Sequence, residues 1–152
     1  MTGMLFRRFS SAVPAALIAV LCATVPNGAS AQSTELARFV GTYDGTRAVA
    51  GGNAIVNLVL YTGGGARLTT TPPAPSGKRP VSVVERGTWS FAERLAIAHF
   101  TLSVNVVDNK PGDRHIEDVA LSFKLSRCNL SIARDDANVY GNAGLTLRKA
   151  KC

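Results

Sequence analysis

His99 and His115 are the only imidazoles in this 152-residue chain, so hydrolysis by a base-activated nucleophile would have to run through one of them. His99 shares the outward side of an alternating run with Thr101 and Ser103, while His115 stands beside a turn. No Gly-x-Ser-x-Gly elbow accompanies them. Carboxylate pairs, which glycoside cleavage requires, occur as the neighbours Glu117-Asp118 and Asp135-Asp136. Neighbours in a strand point to opposite faces, and the second pair falls in a loop, so both read as solvated charge. Asp108 and Asp113 lack the alternating oxygen ligands of a calcium loop. Gly63-Gly64-Gly65 lacks the Lys-Ser/Thr and the helix start of a phosphate cradle. The residues therefore point to a protein that is not an enzyme and holds no metal or cofactor.

Cys128 and Cys152 have neither Cys nor His close by in sequence, which disfavours a metal site. They form an even pair once Cys22 is set aside, and the expected structure is one disulfide tying Cys152 back onto a late strand. Closing a loop of about 25 residues stabilises by about 3 kcal/mol through restriction of the unfolded chain.

Cys22 is set aside because of the N-terminal pattern. Arg7-Arg8 precede the apolar run Ala12–Val25, and Ala29-Ser30-Ala31 forms an A-x-A site. That order describes a secretory signal peptide over residues 1–31, cleaved after Ala31. The apolar run is too short for a spanning helix, which needs roughly 20 residues, and it contains Pro14. Cys22 follows Leu21 inside that run, so a lipid anchor is not expected. Residues 32–152 are then one domain exported to the periplasm or medium. Loss of Arg7 and Arg8 takes the net charge from +7 to +5. The basic residues are dispersed and show no base-stacking aromatic pattern, which argues against nucleic acid. The charge suits contact with anionic envelope polymers or lipid head groups instead.

The elements that must position any site are strands. Period-two alternation and Gly/Pro punctuation recur throughout 40–149, and only Ser33–Phe39 reads as a short helical turn, carrying Leu36 and Phe39. The first strand is Val40–Arg47, where Gly41 and Gly45 suggest bends or close backbone approach. A loop at Ala48–Asn53 leads to Ala54–Thr62, in which Val56, Leu58 and Leu60 alternate with Ile55, Asn57, Val59 and Tyr61. The triple glycine turns the chain into Arg67–Thr71. The stretch from Thr71 to Pro80 is a loop, since its prolines remove ladder donors. Pairing resumes at Val81–Glu85 and Arg86–Phe91.

After a turn at Ala92-Glu93-Arg94, Leu95–Asp108 places Phe100, Leu102, Val104 and Val106 on one face. A turn over Asn109–Asp113 joins it to His115–Arg127, with Val119, Leu121, Phe123 and Leu125 inward. This is the strongest hairpin signal. Leu130–Ala133 and Leu145–Lys149 complete the sheet around the loop Arg134–Gly144. About eight strands with local turns predict a small all-β, antiparallel up-and-down barrel, with a β-sandwich as the alternative.

Two features favour binding. Tyr43, Tyr61, Trp89 and Phe100 would line a cavity for a small apolar ligand. Pro72, Pro73, Lys78 and Arg79 in the proline loop would contact a partner, such as an exported hydrolase that the loop inhibits. The run Phe39-Val40-Gly41-Thr42-Tyr43-Asp44-Gly45-Thr46, followed by Ile55–Tyr61, resembles the opening of small bacterial envelope barrels, in particular the N-terminal domain of NlpE-type copper-resistance lipoproteins, a lipocalin-like family. Gly87-Thr88-Trp89-Ser90 and Leu145-Thr146-Leu147-Arg148 fit the same order. The resemblance implies a lipocalin-like barrel in the envelope. The family's Cys-x-x-Cys is replaced here by Val49-Ala50-Gly51-Gly52 and the lipidated cysteine is missing, so copper binding is not implied for any residue.

Overall fold

The computed structural model describes residues 28–134 and 145–152. One helix, α1 (Gly28–Phe39), precedes eight strands: β1 (Gly41–Val49), β2 (Gly52–Leu60), β3 (Gly65–Thr71), β4 (Ser82–Ala92), β5 (Leu95–Val107), β6 (Lys110–Ser126), β7 (Asn129–Arg134) and β8 (Thr146–Lys149). Each strand pairs antiparallel with its sequence neighbour, and β8 returns to β1, so the sheet closes as an up-and-down barrel. A closed sheet buries one face and leaves no interior edge, which suits a chain whose apolar residues recur every second position.

Inward alternation builds the core. Tyr43, Val56, Leu58, Leu60, Leu68, Phe100, Leu121, Phe123, Leu130 and Leu147 are all fully buried. Gly45 lets β1 approach β8, since a Cβ there would stand 2.8 Å from Leu147 Cδ2 and press on the Thr146 carbonyl. The seam consists of three register pairs, Tyr43 with Lys149, Asp44 with Arg148 and Gly45 with Leu147.

The helix plugs one end. Leu36 packs on the core and Phe39 is buried, its ring 5.4 Å from that of Phe91. The carbonyls at the C-terminal end of a helix have no partners within it, and here side chains from the barrel supply them. Tyr43 Oη donates to Phe39 O at 2.7 Å, and Lys149 Nζ donates to Arg38 O at 2.8 Å. Burial pushes the Tyr43 phenol up to about 12.

Several boundaries differ from those the pattern suggests. The helix is longer than the single turn at Ser33–Phe39, and the expected cleavage point after Ala31 lies within it, whereas residues 1–27 lie outside the described residues. The expected loop at Ala48–Asn53 is mostly strand: Val49 pairs with Gly52, and Gly51 takes φ +91° in the turn between them. The β5–β6 turn is Asp108-Asn109, both at positive φ, and not Asn109–Asp113. Two-residue hairpin turns of that backbone type favour Asn and Asp.

From Ser82 onward, the expected strands Val81–Glu85 and Arg86–Phe91 are one strand with a register shift at Arg86/Gly87. Opposite that shift the pairing steps from Phe100 to Leu102 and passes over Thr101. As a result, Ser103 pairs with the buried Glu85, whereas Leu102 pairs with the exposed Arg86. Leu102, Val104 and Val106 therefore leave the inner face on which alternation places them with Phe100.

Candidate functional site

The β1–β2, β3–β4 and β5–β6 connections meet at the end of the barrel away from α1, as up-and-down topology requires. This loop end carries the polar side chains the core excludes. Glu85 and Ser103 are buried register partners there. Arg47, half-buried, pairs with the buried Ala54, and both Arg47 and Glu85 are engaged by neighbouring groups.

Glu117 is half-buried with Oε1 shielded from solvent and no hydrogen-bond partner among the described residues. Burial pushes its carboxyl above the usual range, and the charge of nearby His115 works in the opposite direction. A carboxyl raised in the folded state contributes stability below its ordinary pKa, and that contribution is lost as pH rises through the raised value. Glu117→Gln is therefore expected to raise the melting temperature at neutral pH and leave it unchanged near about pH 3.5, where the parent is protonated in both states. Thermal melts of both proteins at the two pH values check this; an equal shift at both would locate the cause elsewhere.

The proline loop lies across the same end. A turn closes it, with Lys78 N–H donating to Pro75 O at 2.9 Å and Gly77 at φ +74°, the position at which a type II turn favours glycine. At its base the hydroxyls of Thr71 and Ser82 are hydrogen-bonded at 2.8 Å. On one flank Pro73 packs against the β1–β2 turn, where a Cβ on Gly52 would stand 3.4 Å from its Cγ. On the other flank Arg79 pairs with Asp108 of the β5–β6 turn. Between these braces, Pro73 through Val81 is exposed. Of the four residues expected to meet a partner, Lys78 is presented, Pro72 is half-buried, and Pro73 and Arg79, although exposed, brace the loop.

The proposed cavity lining divides. Tyr43, Trp89 and Phe100 do point inward, but they are packed among the core leucines. Tyr61 does not join them: it is 45 % exposed beside the β2–β3 turn, against Gly65. Its contribution is its carbonyl, which accepts the Trp89 indole N–H at 2.8 Å. With Trp89 N–H donating to Gly64 O at 2.7 Å, the tryptophan locks the β2–β3 turn to β4.

His99 Nε2 lies 2.5 Å from Asp118 Oδ1, a contact between strands that the sequence order did not reveal. The pair sits on the solvent side of β5–β6, with Asp118 89 % exposed. Catalysis by such a dyad needs a nucleophile held in a water-excluding cleft, and an exposed pair of this kind contributes little to stability. His115 is exposed, and Asp135-Asp136 lie outside the described residues. Among the described residues no group of three or more His, Cys, Asp or Glu side chains converges on a common point.

Cys128 and Cys152 form the expected disulfide, with Cα atoms 5.8 Å apart. Cys128 sits in the β6–β7 turn, and its carbonyl accepts Lys149 N–H at 2.7 Å. The bridge thus fastens the segment after β8 to the helix end of the barrel. No family model, curated protein or solved structure matches this chain.

Proposed function

We propose that this is an exported, non-enzymatic envelope barrel that acts by binding a partner through its loop end. The observation that carries the reading is the bracing of the proline loop: ordered at its base and both flanks, it exposes Lys78 and its neighbours. A loop held in one conformation loses less entropy on binding than a mobile one. The inward aromatics are packed among leucines, so partner recognition by the loop is favoured over an apolar ligand held inside the barrel.

An exported hydrolase is the partner class the charge suits. Hydrolytic clefts lined by carboxylates attract a presented lysine. Export rests on the signal-like order of residues 1–31. The likeness to NlpE-type barrels adds an envelope setting and no residue roles.

The test titrates the purified, oxidised protein into exported glycosidases and proteases of the organism that makes it, alongside Lys78→Glu. Inhibition of one enzyme at a one-to-one ratio is expected, weakened at least about tenfold by the charge reversal with the melting temperature unchanged. No inhibition and no stoichiometric complex in native mass spectrometry would exclude this role.

A further inference from the structure

The outer face of β3–β5 carries an arrangement the loop reading does not use. Arg67 and Arg86 stand directly opposite each other in the β3–β4 register. Like charges in that position repel. Arg67 is half-buried, and its Nε is shielded from solvent with no hydrogen-bond partner among the described residues. A guanidinium N–H withdrawn from water and left unmatched is unfavourable, which adds to the cost of holding the two charges together.

The two arginines line a groove of about 380 Å³ whose floor is Val84, Val104 and Val106. Val104 is 7 % exposed although it faces out of the barrel, because the step at Thr101 turned it to this side and the groove walls shield it. Thr69 and Asn109 add polar groups at the rim, and no acid is among the described residues that line the groove. A second cleft reaches the same two arginines from the side of Tyr61 and Gly65. The pair is thus open to a ligand from both directions, with an apolar floor on one of them.

We propose that this groove binds a small amphiphilic oxyanion, an organic carboxylate or phosphate monoester whose head lies between Arg67 and Arg86 and whose apolar tail covers Val84, Val104 and Val106. Guanidinium groups match planar or tetrahedral oxyanions with paired N–H donors. A single anion would relieve the repulsion between the two guanidinium groups. The tail distinguishes this ligand from a bare ion, since an apolar floor adds affinity only for apolar surface. The site is separate from the proline loop and does not depend on it.

Isothermal titration of the purified, oxidised protein with sodium octanoate, monooctyl phosphate, inorganic phosphate and octanol tests the proposal. At least one octyl anion is expected to bind about tenfold or more tightly than both octanol and inorganic phosphate. The tighter of octanoate and octyl phosphate identifies the head group. Arg67→Gln and Arg86→Gln should each weaken that binding about tenfold.

Arg86 is exposed, so its replacement leaves the fold intact. Removing the repulsion should raise the melting temperature of the ligand-free protein by about 2 °C. Octyl anions that bind no better than octanol would overturn the proposal, as would inorganic phosphate matching the tighter octyl anion or an affinity unchanged in Arg86→Gln.

Discussion

The Gly87→Ala variant is expected to lose the folded barrel, or to melt at least about 10 °C below the parent. A Cβ on Gly87 would overlap the His99 carbonyl oxygen and lie 2.7 Å from Phe100 Cα. The obstacle is backbone inside the β4–β5 ladder, so no side-chain rotation relieves it. The residue also stands at the register shift that turns Ser103 toward Glu85 and Val104 toward the outer groove. Gly63→Ala is the matched control, since a Cβ there would meet nothing within 4 Å. Circular dichroism melts of the two variants check the prediction, and a Gly87→Ala melt within about 2 °C of the parent would mean that the ladder re-forms around the methyl group.

Replacing Cys128 and Cys152 together by serine is expected to lower stability by about 3 kcal/mol, or roughly 10 °C in melting temperature. The bridge spans a sequence separation of 24. Its loss leaves the folded contacts largely in place and enlarges the unfolded ensemble. Denaturant titration of the oxidised parent, the reduced parent and the double variant should place the last two together. Equal midpoints for all three would mean that the bridge does not constrain the unfolded chain.

Strand identity was legible because burial on one face imposes a period of two. Val56, Leu58 and Leu60 in β2 and Val119, Leu121 and Phe123 in the β5–β6 hairpin follow it. The same rule places Tyr61 on the opposite face from Leu60, and there residue type misled: an aromatic near three inward aromatics reads as their companion, although its parity assigns it outside. Other features were not legible. Thr101 lies in a run that continues to alternate in type, so nothing local marks the step that turns Val104 to the outer face.

Pro111-Gly112 drew the expected turn past Asp108-Asn109, where positive φ places it. The opposition of Arg67 and Arg86 arises from register across the long loop between β3 and β4. Loop residues alone do not set such a register. The proline loop itself was evident from composition, but its bracing by Arg79 depends on Asp108, which lies far along the chain at the β5–β6 turn.

The barrel seam carries an asymmetry in how the molecule would breathe. Seven of its eight ladders join neighbours in sequence, whereas the β1–β8 ladder joins residues about a hundred positions apart, such as Gly45 and Leu147. Re-forming a contact across so long a loop costs more entropy than re-forming a hairpin, by about 2 kcal/mol for a tenfold difference in length. The β7–β8 ladder, from Asn129 with Arg148 to Ser131 with Thr146, is equally short, but Cys128–Cys152 keeps its strands within reach of each other when hydrogen bonds break. Thermal opening is therefore steered to one side: β8 parts from β1 while still leashed to β7, and the barrel unzips as a door hinged on its disulfide.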